Sequence, residues 1–173
     1  PRVDLALLEQ YHDGLIALSA CLAGAIPQYL MDESYDSAKA YALNLARIFG
    51  PEHFYLEMQD HGIEAQRMVN QGILRLARET GLPLVVTNDA HYLRKEDAAM
   101  QDVLLCVQTG KTVDDPNRMR FETEEFYLKS EQEMAALFPN QPEALENTAK
   151  IAQRCNVEFV FHDYHLPAFP VPE

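Results

Sequence analysis

The sequence predicts an α/β protein built on a parallel sheet, and three observations predict it. Short apolar runs alternate with longer stretches of helical period, the connections between them are short, and the third apolar run carries almost no polar residue. A chain of 173 residues is one domain of ordinary size or a large piece of one. Its 47% hydrophobic content is enough to fill a core.

Taken in order, Leu15-Ile16-Ala17-Leu18 follows Gly14 and reads as a buried strand. It runs into the small residues Ser19-Ala20-Cys21-Leu22-Ala23-Gly24, which suit a tight loop. From Ser37 to Phe49, Ala38, Tyr41, Ala42, Leu45, Ile48 and Phe49 fall three and four apart on one helical face, closed by Gly50-Pro51. Phe54-Tyr55-Leu56-Glu57-Met58 is the second strand. Asp60-His61-Gly62 then leads to a helix with Val69, Ile73, Leu76 and Ala77 on one face and Gly81 as its left-handed stop. Pro83-Leu84-Val85-Val86-Thr87 is the third strand, apolar as expected when both faces are covered.

Beyond it, Ala98 to Val107 reads as helical and stops at Gly110. Lys111 to Arg120 reads as loop, with a turn at Asp114-Asp115-Pro116-Asn117. Ser130 and Glu133 form a capping box for a short helix that Pro139 ends. Pro142 opens a last helix with Leu145, Thr148, Ala149, Ala152 and Cys155 on its face. Pro167, Pro170 and Pro172 predict an extended tail from Leu166.

Fourteen basic against 27 acidic residues leave a net charge of −13. That balance argues against a surface that grips nucleic acid or anionic lipid by itself, because phosphate binding rests on Lys and Arg. It leaves room for a nuclease site, where bound metals reverse the local sign. No apolar run approaches the ~20 residues that span a bilayer. Pro1-Arg2-Val3-Asp4 has neither an initiator Met nor a basic n-region, so the chain is expected to begin inside a longer protein. Three dispersed cysteines, Cys21, Cys106 and Cys155, predict no disulfide framework and a reducing cytoplasm.

The chemistry concentrates after the strands. Thr87-Asn88-Asp89-Ala90-His91-Tyr92 follows the third strand, and a period of two in extended chain would point Asp89 and His91 the same way. A carboxylate beside an imidazole at the carboxyl end of a parallel strand suits a metal. The same residues would also serve a plain turn Asp and a His covering the rim. Cys21 follows the first strand; as a thiolate there it would favour Zn²⁺, and as a neutral thiol it would be a small buried hydrophobe. Glu57 ends the second strand and His61 lies four residues on, so either can reach that rim as an acid, base or ligand, or in a second layer. The plainer alternatives are a strand-end carboxylate bonded to backbone and a solvent-exposed His. His162 and His165 read as structural, and Cys106 and Cys155 as packing. Lys111, Arg118, Arg120 and Lys129 make one basic cluster, read as solvated surface.

Four ordered segments carry a resemblance: Leu15 to Gly24, Tyr55 to Gly62, Thr87 to Tyr92, and Asp102-Val103-Leu104-Leu105-Cys106-Val107-Gln108-Thr109-Gly110-Lys111. Together they resemble the polymerase and histidinol phosphatase (PHP) domain of the alpha subunits of bacterial DNA polymerase III, from Val3 to Pro172. The resemblance implies part of a distorted (β/α)7 barrel with a helical C-terminal extension. Residues 1–110 would be the later part of the barrel, 111–165 the loop, short strand and helices that close it, and 166–173 a Pro-rich linker towards a palm domain.

It also implies up to three divalent metals in the complete domain, Zn foremost and Mn, Fe or Mg as alternatives. Cys21, Asp89 and His91 would be ligands, with Glu57 and His61 orienting water or substrate. The family's His-x-His ligands have no counterpart among these residues. The implied activities are DNA-directed DNA polymerisation by the whole subunit and metal-dependent 3′–5′ exonuclease chemistry by the complete domain. Little catalysis is expected from this chain alone. DNA would be met through the full polymerase, with the sliding clamp, clamp loader and proofreading subunit as partners and no membrane. The alternative is a catalytically silent scaffold that braces the polymerase and docks a separate exonuclease; a free-standing phosphoesterase ranks behind both.

Overall fold

A computed structural model describes residues 3–164 and Leu166. Helix α1 (Leu5–Tyr11) precedes strand β1 (Ala17–Leu18), followed by helices α2 (Ala25–Met31) and α3 (Tyr35–Phe49). Strand β2 (Phe54–Met58), helix α4 (Glu64–Thr80) and strand β3 (Leu84–Val86) complete the alternation. Helices α5 (Ala98–Thr109), α6 (Glu131–Leu137) and α7 (Pro142–Arg154) follow. Among the described residues the strands form one parallel sheet in the order β1-β2-β3. The mixed α/β class and the parallel sheet are as predicted; this three-stranded sheet is part of what a full (β/α)7 barrel would need.

The register shows why β2 is buried throughout. Phe54, Leu56 and Met58 point into a core shared with Ile26, Ala38, Ala42, Val69, Ile73 and Leu76 from the helices. Tyr55 and Glu57 alternate to the opposite face, as a period of two requires. Each fully buried aliphatic or aromatic side chain in that core contributes about 1.5–3 kcal/mol of transfer free energy. β1 differs from expectation. It is two residues long, and Leu15 and Leu18 remain partly exposed, because among the described residues β1 pairs on one side only, with β2.

The helix punctuation follows the predicted chemistry. Gly81 and Gly110 take left-handed conformations after α4 and α5. Ser130 and Glu133 close the capping box of α6, and Pro142 is the first residue of α7. Two short helices were not anticipated. α1 carries an Asp4 side chain that accepts from the Leu7 amide at 2.9 Å, a legible cap on a segment too short for a clear period. α2 starts from Gly24 and holds Pro27 in its first turn, where a missing N–H costs nothing. Cys106 is buried as predicted, whereas Cys155 follows the last turn of α7 and is exposed, because the helix ends before its face reaches that residue. The basic cluster dissolves into ion pairs: Lys111 with Asp115, Arg118 with Asp102, and Lys129 with Glu125. His162 sits in a turn with φ +68, so it is not helical. His165 and the Pro-rich tail after Leu166 lie outside the described residues.

Candidate metal and strand-end site

The loop after β3 is built by hydrogen bonds to a distant segment. Tyr92 and Tyr127 form an isolated parallel bridge, with the His91 amide donating to the Phe126 carbonyl at 2.8 Å and the Leu128 amide to the Tyr92 carbonyl at 3.1 Å. The Asn88 side-chain amide donates to the Tyr127 carbonyl. This pairing sets the path of residues 88–92.

Asp89 and His91 do meet, by a route other than the one expected. Asp89 has φ +43, so the segment is turned rather than extended, and simple alternation does not operate. The turn brings Asp89 Oδ1 to 3.3 Å from His91 Nε2, with both side chains a little over one-third exposed. The His91 ring is held against Phe121, centroids 4.8 Å apart, and edge-on to Phe126 at 5.7 Å. A hollow of about 360 Å³ opens beside them, lined by Tyr92, Asp102, Arg118, Arg120, Phe121 and Thr123 among others. The neighbouring Glu125 carboxyl is held below its ordinary value, chiefly by a hydrogen bond from Lys95. Burial pushes the Tyr92 phenol up.

Glu57 is buried at the end of β2 and fully engaged. Its carboxylate accepts from the Ala20 amide at 3.0 Å, from Gln59 Nε2 at 3.0 Å and from the Thr87 hydroxyl. The Glu57 amide in turn donates to Ser19 Oγ at 2.8 Å. Glu57 thus ties the ends of all three strands together, with the strand-end backbone bond that the sequence allowed. Cys21 is half-buried and free, and it lines a crevice of about 10 Å³ with Glu57, Gln59 and Asn70. Gln59 Oε1 is buried without a hydrogen-bond partner.

His61 is not the solvent-exposed loop residue of the plainer alternative; it is 1% exposed. Its Nε2 lies 2.6 Å from the Asn88 carbonyl and its Nδ1 2.9 Å from Gln66 Nε2. Its ring stacks on Phe126 with centroids 4.3 Å apart. The structure therefore places Cys21 with Glu57, pairs Asp89 with His91, and links His61 to the Asp89 loop. Among the described residues no group of three or more His, Cys, Asp or Glu side chains is arranged around one ion position. Sequence reading passed over Gln66, Asn88, Thr123 and Phe126. None of them left a signal in the pattern: Gln66 is a polar residue in the first turn of α4, and the burial that makes it matter is not visible in a sequence.

The PHP domain family model matches residues 1–61. The chain is 46% identical to the DNA polymerase III subunit alpha of Treponema pallidum, over 99% of this chain and 15% of the relative. It is 44% identical to the protein of the same name from Borreliella burgdorferi, over 99% of this chain and 15% of that relative. The Thermus aquaticus protein is 44% identical over 100% of this chain and 15% of its own length. The chain thus spans about 15% of the length of the curated relatives it matches. Residues 1–61 thus match the PHP domain family, and nearly the whole chain aligns with a segment of bacterial DNA polymerase III alpha subunits.

Proposed function

We propose that this chain is the metal-binding PHP region of a DNA-replicating polymerase alpha subunit, with 3′–5′ phosphodiester hydrolysis as the chemistry of the complete domain. The observation that carries the reading is the 3.3 Å separation of Asp89 Oδ1 and His91 Nε2. Two donors each about 2.0–2.1 Å from one tetrahedral ion stand roughly 3.3–3.4 Å apart, so the pair has the spacing of two ligands on one metal. Zn, Mn, Fe and Mg all fit the carboxylate and imidazole of the pair, and Cys21, in its own crevice with Glu57, would favour Zn²⁺ for an ion held on that side. A divalent ion held there would supply Lewis acidity and water activation near neutral pH.

The chain's own residues do the holding. Phe121 and Phe126 fix the imidazole plane, Glu57 fixes the loop that bears Cys21, and the hollow beside Phe121 offers Arg120 to a phosphate. The net charge of −13 assigns most contact with DNA to other regions of the polymerase. Sliding clamp, clamp loader and proofreading subunit are the partners of that whole protein, and the cytoplasm is its compartment. Among the described residues no helix is long and apolar enough to cross a membrane.

A scaffold role is the second reading, favoured by the exposed apolar stripe Met100, Val103, Leu104 and Val107 along α5. Zinc titration of the chain by calorimetry separates the two. Asp89→Asn keeps a residue tolerant of positive φ and His91→Ala removes a donor; each is expected to abolish stoichiometric zinc while the circular dichroism stays unchanged. Unaltered stoichiometry in both variants would leave the scaffold reading. In the full-length polymerase the same substitutions are expected to remove exonuclease activity and spare polymerisation.

A further inference from the structure

We infer that His61, oriented by Gln66, is a positioning residue for the Asp89–His91 pair and works through backbone and ring contacts without touching water, metal or substrate. This rests on the reading of that pair as metal ligands. Both ring nitrogens of His61 are committed, and the ring is almost completely buried. The Asn88 carbonyl can only accept, so the nitrogen 2.6 Å from it, Nε2, carries the hydrogen. Gln66 settles the other side. Its Oε1 accepts the His61 backbone amide at 2.7 Å, which turns its NH₂ towards Nδ1 at 2.9 Å; the 3.3 Å approach of Oε1 to Nδ1 is the longer contact. One side-chain amide thus reads both the backbone and the ring of the same residue and selects the Nε2–H tautomer.

From that fixed ring two lines of contact run to the ligand pair. Through Nε2–H the ring holds the Asn88 carbonyl, one peptide before Asp89, whose φ of +43 requires outside restraint. Across its face the ring stacks on Phe126, interplanar angle 4°, and the Phe126 carbonyl takes the His91 amide at 2.8 Å. Thr123 adds a third tie, its hydroxyl donating to the His61 carbonyl at 2.7 Å. The same imidazole therefore restrains both members of the pair from either side.

The test uses ring tautomer, loop shifts and metal affinity. In the metal-free chain, long-range ¹⁵N–¹H correlation is expected to show His61 as the Nε2–H tautomer; an Nδ1–H signature would overturn the assignment. His61→Phe keeps the stack and loses the donor, while His61→Gln keeps a terminal NH₂ near the Nε2 position. The Asn88–Tyr92 amide shifts should move in His61→Phe and return towards wild type in His61→Gln. Co²⁺ affinity should fall about tenfold in the first and recover in the second, the size typical of lost outer-layer support. Equal affinity and unmoved shifts in His61→Phe would refute the role. Should His61→Phe fail to fold, Gln66→Met keeps the imidazole and its bond to the Asn88 carbonyl but frees the Nδ1 edge and the His61 amide, so the Asn88–Tyr92 shifts should still move; unmoved shifts there would refute it as well. If wild type binds no Co²⁺ but the shifts respond as described, the metal reading fails and the positioning role stands.

Discussion

The Glu57 carboxylate accepts a hydrogen bond from the Ala20 amide at 3.0 Å, so the end of β2 holds the loop that carries Cys21. The same carboxylate takes donors from Gln59 and Thr87. Glu57→Ala strands these donors in a buried setting and is expected to destabilise the chain by about 2–3 kcal/mol. Glu57→Gln, which keeps one acceptor oxygen, should cost about 1 kcal/mol. Urea unfolding checks both, read as midpoint shifts at constant slope.

Gly24 faces the same loop from the start of α2. A Cβ there would lie 2.6 Å from the Ser19 carbonyl oxygen and 3.1 Å from that of Cys21, both backbone atoms. Its φ of −69 suits any residue, so the penalty is purely steric. Gly24→Ala is expected to cost about 1–3 kcal/mol and to speed modification of Cys21 by a thiol reagent as the loop is pushed outward. Wild-type stability with wild-type thiol kinetics would count against this packing.

Acid should loosen the contact between α3 and α4. Lys39 and Arg75 both bind Glu79, at 2.8 Å each, and hold its carboxyl down from its ordinary 4.5 to about 2. A carboxyl lowered in the folded state contributes its full share above the unfolded value and loses it as pH falls through the folded one. The stability gap between wild type and Glu79→Gln is therefore expected to be flat above pH 4.5 and to close towards pH 2. Thermal melts across that range test the sign; a gap that widened on acidification would contradict it.

Asn147 docks α7 on the sheet, its Nδ2 donating to the Leu84 carbonyl at 2.8 Å across 63 residues. Asn147→Leu leaves that edge carbonyl without its partner and should cost about 1–3 kcal/mol. Hydrogen exchange should quicken at β3 and α7 while α3 keeps its protection.

Sequence alone determined the elements whose physics is local. Apolar runs, three-and-four spacing, Gly81, Gly110, Pro142 and the Ser130–Glu133 box each act within a few residues, so strands, long helices and their stops were legible. The short α1 and α2 were not, because a seven-residue helix draws its stability from what it packs against. Cys21, Glu57, His61, Asp89 and His91 were legible as chemistry-bearing residue types at strand ends. Their arrangement was decided only by tertiary structure. The turn at Asp89, the Phe126 backbone that anchors His91, and the Gln66 amide that orients His61 depend on contacts between segments that share no local pattern. Burial then converts those polar contacts from optional to obligatory, since a buried donor or acceptor has no water to fall back on.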